Sequence, residues 1–361
     1  MKLSDLGEFG LIARIAGHAG AAGARVLRGI GDDCAVLDSG VPGGVLLLTT
    51  DLLTEGVHFE RRTSPARLLG RKALAVNLSD IAAMGGTPAF FTVTLCAPPD
   101  TPVDWVDGFY AGLLDRARSS GAALVGGDTS ASRGPITVSL ALLGECPSGE
   151  VLYRSGARPG DGIYLTGWPG ESAAGLALLQ MEGGEPPDDD LAHLRTRHLD
   201  PEPRILAGRR LAEGKLATAL IDVSDGLAAD LGRLAEASGV GARLEGDRVP
   251  LSPALRKGAA AAGRDPLELA LTGGEDYELL FTASGDAGEE ALSDVLGLPV
   301  RLIGRVTAPG TPLAIIDPAG NPLDLSRPGH DHFLAAPPGP ELPLAARGFS
   351  SQPRKLPMFF P

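Results

Sequence analysis

Apolar positions open this chain at helical spacing, with Phe9, Ile12, Ala13 and Ala16 on one face before Gly17 and Gly20. Two strands are predicted next, around 26–37 and 45–50. Ser64-Pro65 reads as a helix start, a capping Ser before a Pro at the first helical position, and the helix runs to Met84 before Gly85-Gly86. A strand near 90–97 stops at Pro98-Pro99. Thr101-Pro102 then starts a helix with Trp105, Phe109 and Leu113 inward, ended by Gly121. Residues 122–125 read as a short strand, 126–129 as a glycine loop, and 136–144 alternate like a strand. In the second half the pattern predicts a strand at Gly162–Thr166, then helices on either side of an acidic linker at 183–190, as far as about Gly214. A strand at 219–223 and a helix at 226–238, with Leu227, Leu231 and Leu234 on one face, follow. Strand and helix alternate to Phe333, so the fold class is α/β (α+β).

Six of these apolar runs break off into carboxylates: at Asp32-Asp33, Asp51, Asp80, Asp128, Asp222 with Asp225, and Glu275-Asp276. A single Asp after an apolar run is ordinarily a turn or cap residue. Six in one chain point to a shared site. Carboxylates within ~4 Å repel by roughly 4 kcal/mol per pair at an effective dielectric near 20, so such a site needs cations. Hard oxygen ligands without His or Cys select Mg²⁺, which usually also holds substrate phosphates. Asn77 and Asp80 lie three residues apart on one helix face amid Leu74, Val76, Leu78 and Ile81, which favours an inward-facing site.

Composition narrows the choice. With 361 residues, 43% of them hydrophobic, two domains are expected. The composition shifts to polar at Pro147-Ser148-Gly149, which divides the chain into residues 1–147 and 148–335. From residue 337, seven Pro in 25 residues without periodicity predict a disordered tail, taken as 336–361. A net charge of −13 disfavours nucleic acid and anionic membrane as partners. Three cysteines without metal spacing, no signal peptide and no apolar run of membrane length predict a cytoplasmic protein. A P-loop, a complete dinucleotide fingerprint and an acyl-transfer nucleophile pattern are all missing.

In order along the chain stand Gly7-Glu8-Phe9, GIGDDCAVL from Gly29, Thr49-Thr50-Asp51, His58-Phe59 and KALAVNLSDIAAMG from Lys72. GGDTS at 126–130, RSGARPGD at 154–161, IDVSDGL at 221–227 and GGEDYELLFT at 273–282 complete the set. Together, over residues 5–333, these resemble the thiamine-monophosphate kinase family of the aminoimidazole ribonucleotide synthase-like superfamily. The resemblance implies a two-domain fold, with an N-terminal domain that binds ATP and Mg²⁺ and dimerises, and a C-terminal α/β domain. It further implies a homodimer, with apolar strands such as 92–96 suited to the interface, that phosphorylates thiamine monophosphate. Asp33, Thr49, Thr50, Asp51, Asp80, Asp128, Asp222 and Asp225 would ligate several Mg²⁺ ions, some through backbone oxygen at Thr49 or Thr50. Gly127, Asp128, Arg154 and Ser224 would contact ATP, and His58 and Glu275 the acceptor. One stretch departs from the family pattern: residues 326–333 carry no aromatic before Gly329, where the family places a stacking ring.

The acceptor in that reading is a phosphate monoester, whose oxygen is already anionic. Direct in-line transfer then needs alignment and charge neutralisation rather than a base, so a site rich in Asp and poor in His suffices. Another ATP-dependent member of the superfamily and a non-catalytic nucleotide- or metal-binding regulator remain as alternatives.

Overall fold

The computed structural model describes residues 2–19, 23–181, 188–285, 287–317, 319–325 and 329–333. Two compact units arise. In the smaller, residues 2–15 associate with residues 331–333: the Glu8 amide donates to both oxygens of Asp331 (3.2 and 3.1 Å), and the His332 amide to Glu8 Oε2 (3.3 Å). Its helix α1 (Leu3–Ala19) breaks at Gly7, φ 72°. Phe9 and Ile12 stay 42% and 37% exposed, so the apolar face read from the sequence is not buried within the chain.

Residues 16–330 form the larger unit around two six-stranded sheets. The first holds β1 (Val26–Arg28), β2 (Ala35–Asp38), β3 (Gly44–Thr54), β4 (Thr87–Ala97), β5 (Ala123–Ala131) and β6 (Thr137–Pro147), in the order β1-β2-β3-β6-β4-β5. The strand expected at 26–37 is thus two short strands, and Asp32 and Asp33 lie in the connection between them. All pairs are antiparallel except β4 with β5, joined by the crossover helix α3 (Val103–Ser120). Helix α2 (Ala66–Ala83) and α3 cover one face. Val45, Leu47 and Leu53 point into that core, while Leu48 and Leu52 of β3 and Phe90 of β4 remain 38–51% exposed on the other side.

Two local expectations fail for a common reason. Ser64 and Thr101 cap nothing: Pro65 and Pro102 themselves occupy the N-cap in extended conformation and offer no side-chain acceptor. Residues 126–129 are strand, not loop. Gly126 and Gly127 continue β5, because a Cβ on Gly127 would fall 2.0 Å from the Val93 carbonyl of β4. The glycine there permits close strand approach rather than a turn.

The second sheet runs β12-β9-β11-β7-β10-β8, with β7 (Gly162–Thr166), β8 (Ala219–Asp222), β9 (Gly241–Glu245), β10 (Leu279–Ala283), β11 (Val300–Thr307) and β12 (Ala314–Ile316). Helices cover both faces. On one lie α4 (Glu171–Gln180), α5 (Asp189–Leu199), α7 (Leu227–Ser238), α8 (Pro253–Ala261) and α9 (Pro266–Thr272). On the other lie α6 (Ile205–Glu213) and α10 (Glu289–Leu296), together with Ala82 and Ala83 of α2. Burial on both sides explains why β7, β8 and β10 read as continuous apolar runs. Helix α2 therefore packs against both sheets, with Leu74 and Leu78 in the first core and its last turn in the second. No helix among the described residues is long and apolar enough to cross a membrane.

Candidate active site

Three elements carry acids to one point. The β1–β2 connection brings Asp33, the inner side of α2 brings Asp80, and the end of β8 brings Asp222; one carboxylate oxygen of each lies within 4.8 Å of the other two. Thr49 of β3 faces the same way and its hydroxyl donates to Asp80, while the Ser79 hydroxyl donates to Asp222 (2.6 Å). Burial first, then Asp51, Asp222 and Asp33, push the Asp80 carboxyl well above its usual range. Burial and Asp33 do the same to Asp222. Burial and Asp225 raise Asp51 to about 6. These groups are under electrostatic stress that a cation relieves.

Arg154 is the cation the chain supplies. Its Nη2 lies 2.7 Å from Asp33 Oδ1, and its amide donates to Asp32 Oδ1 (3.1 Å). Burial opposes the guanidinium charge, but Asp33, and beyond it Asp222 and Asp32, more than restore it. One positive charge does not balance the cluster. The second oxygens of Asp33 and Asp51 are buried and accept no hydrogen bond among the described residues. Unsatisfied hard-oxygen acceptors beside a carboxylate trio suit Mg²⁺ in chemistry and spacing.

The remaining sequence-derived residues fall into distinct places. Thr50 projects from β3 on the opposite side from Thr49, and its hydroxyl donates to the Leu140 carbonyl (2.8 Å), leaving only its backbone oxygen to serve the cluster. Ser224 and Asp225 lie just beyond β8, with Asp225 Oδ2 2.8 Å from Arg233. Gly127 and Asp128 are not among these groups. They sit on the exposed edge strand β5, lining an open depression of about 480 Å³ with Val93, Tyr110 and Leu124. His58 accepts the Thr54 amide at Nδ1 (2.9 Å) and is near enough to Glu275 to stabilise its charge.

Glu275 belongs to a network that sequence reasoning missed. Lys72 Nζ, 2% exposed on α2, stands 2.8 Å from Glu275 Oε1, and His198 Nδ1 of α5 is 3.3 Å from Oε2. The Ser172 hydroxyl lies 3.1 Å from that same His198 nitrogen. Burial favours a neutral Glu275, yet Lys72 above all outweighs it and holds the carboxyl below its usual range. Burial and Lys72 push His198 down to about 4, so it is uncharged at neutral pH. A usable signal existed: Lys72, Ser79 and Asp80 lie at i, i+7 and i+8, and with Asn77 they are the polar side chains in the mainly apolar stretch 72–84.

Residues 31–146 match the family described as AIR synthase related protein, N-terminal domain, and residues 158–315 its C-terminal domain. The chain is 44% identical to the thiamine-monophosphate kinase of Escherichia coli (strain K12) over 331 residues, covering 91% of this chain and 98% of that one. It superposes on the thiamine monophosphate kinase of Aquifex aeolicus with a TM-score of 0.75 at 35% identity, covering 90% and 100% of the two chains. On AaThiL complexed with AMPPCP and TMP the TM-score is 0.80 at 37% identity, covering 91% and 99%. Likeness of this extent over both domains identifies the chain as a member of the thiamine-monophosphate kinase family.

Proposed function

We propose that this chain transfers the γ-phosphoryl group of ATP directly to thiamine monophosphate, giving thiamine diphosphate and ADP, the last step in making that cofactor. The observation that carries the reading is the trio Asp33, Asp80 and Asp222, short of positive charge, in a chain this similar to kinases of that name. Asp33, Asp51, Asp80, Asp128, Asp222 and Asp225, with backbone oxygens at Thr49 or Thr50, would hold Mg²⁺. Bound there, the metal neutralises phosphate charge and lines up the two phosphates. Arg154 adds a fixed positive charge, and together with Gly127, Asp128 and Ser224 it binds ATP. Glu275, kept ionised by Lys72, and His58 receive the acceptor. No residue is assigned as a base, because the attacking phosphate oxygen has no proton to lose at neutral pH. No phosphoenzyme forms.

With Mg²⁺ and ATP the purified protein converts thiamine monophosphate to thiamine diphosphate and leaves free thiamine untouched; chromatography of the products checks this. Removing the acceptor phosphate removes both charge balance and nucleophile, and a free hydroxyl would require a base. ATP consumption with thiamine but not with its monophosphate would refute the assignment.

The division into residues 1–147 and 148–335, a dispensable 336–361 tail and a cytoplasmic location belong to the same reading; residues 336–361 and 326–328 lie outside those described. So does a homodimer through the first sheet, whose uncovered side exposes Leu48, Leu52 and Phe90 beside Asp128 on β5. In that dimer Gly127 and Asp128 serve the neighbouring chain's site, which accounts for their separation from the other acids. Mixing inactive Asp128→Asn and Asp222→Asn proteins then restores part of the activity. A monomer by light scattering at micromolar concentration, or no restoration, would rule this out.

A further inference from the structure

The loop from Ser224 to Gly226 carries two of the residues assigned above, and the inference rests on that assignment. All six of its backbone polar groups are bonded. The amides of Ser224, Asp225 and Gly226 donate to a single oxygen, Asp230 Oδ2, at 3.1, 3.1 and 3.2 Å. The carbonyls of Ser224, Asp225 and Gly226 accept from the amides of Glu275 (2.7 Å), His330 (2.9 Å) and Asp230 (3.0 Å). Gly226 stands at the N-cap of α7 and has no side chain to cap it, so Asp230, fully buried one turn inside the helix, does so from within. The amides that a helix N-terminus usually offers an anion are thereby occupied, and the loop acts through its side chains. The other oxygen of Asp230 accepts from Arg233, and Arg233 Nη1 also lies 2.8 Å from Asp225 Oδ2.

The geometry points to Asp230 and Arg233 as positioning residues for the nucleotide step: Asp230 fixes the loop that presents Ser224 and Asp225, and Arg233 aims the Asp225 carboxylate. Neither is assigned a contact with substrate. Each acts through the loop, where a displacement of about 1 Å can cost ~10²-fold in rate.

Calorimetric titration of AMPPCP with Mg²⁺ into Asp230→Asn, Arg233→Met and Arg233→Lys proteins, beside KM for ATP and for acceptor, tests this. Asp230→Asn and Arg233→Met weaken AMPPCP binding about tenfold or more and raise KM for ATP in parallel, with acceptor KM within about twofold. Arg233→Lys recovers most of the loss. A purely structural role would lower the unfolding midpoint and move both KM values together, and that result overturns the proposal. If Asp230→Asn does not fold, the Arg233 pair decides alone: wild-type AMPPCP affinity in Arg233→Met overturns it. Wild-type protein that binds AMPPCP but does not phosphorylate thiamine monophosphate refutes the acceptor assignment and leaves this test standing.

Discussion

Asp222→Asn slows phosphoryl transfer by about 10²-fold or more and, in the absence of Mg²⁺, makes the protein more stable. The two effects share one cause. Asp222 is 2% exposed, close to Asp33 and Asp80, and hydrogen-bonded to the Ser79 hydroxyl. Asn keeps the volume and can still accept from Ser79, but it brings no charge into a buried, mutually repelling group. Without metal, that charge costs on the order of 4 kcal/mol per close neighbour at an effective dielectric near 20, so its removal raises the melting temperature. With metal, the same charge is what binds. Thermal unfolding with and without Mg²⁺ separates the two: wild-type protein gains a large Mg²⁺-dependent shift, and the variant starts higher and gains little. An Asp222→Asn protein with wild-type turnover at low Mg²⁺ would remove Asp222 from the site.

Glu278→Gln has the opposite sign, lowering stability by about 3–5 kcal/mol. Glu278 is also fully buried, but every part of its carboxylate is matched. Arg204 reaches it through Nε (2.7 Å) and Nη2 (2.5 Å), Arg197 through Nη2 (2.9 Å), and the Thr166 hydroxyl donates at 2.8 Å. Burial would raise its pKa, and Arg204 and Arg197 overcome that to hold it down. A depressed folded-state pKa means the contribution is intact above the usual glutamate range and is lost as the pH falls through and below it. Gln strands two guanidinium groups that are mostly buried, although Glu171 remains 3.3 Å from Arg197. Urea unfolding at neutral pH should show the drop. A variant within about 1 kcal/mol of wild type would mean that the network relaxes freely.

These two acids show what the sequence disclosed and what it could not. Both follow or precede apolar strand residues, and pattern alone does not say which is matched by partners from elsewhere in the chain. Asp33, between β1 and β2, and Asp222, at the end of β8, were legible because an apolar run stops there; Asp51 and Asp80 were legible as acids set inside apolar stretches that continue, β3 to Thr54 and α2 through the buried Ile81, Ala82 and Ala83. Of the second sheet, β7 and β8 were legible as continuous apolar stretches. Gly126-Gly127 was misread because close strand approach and a turn call for the same residue. His198 was invisible as a site residue, and Lys72 was marked only by its place among the polar positions of α2, because their partner, Glu275, lies 77 and 203 residues further along the chain, between α9 and β10. Asp230 resembled an ordinary helix acid. Only the bonding of three amides to its oxygen distinguishes it.

The placement of α2 between the two sheets has a consequence for a chain still being synthesised. When only the first sheet and its helices have emerged from the ribosome, Asp33, Thr49, Asp51 and Asp80 exist but Asp222, Glu275 and the core that seats Ala82 and Ala83 do not. The half-made protein thus lacks the last carboxylate of the trio, and its Lys72 has no Glu275 to pair with. On the proposed function, a nascent or truncated chain that ends before Asp222 is expected to hydrolyse no ATP, with no inhibitor needed.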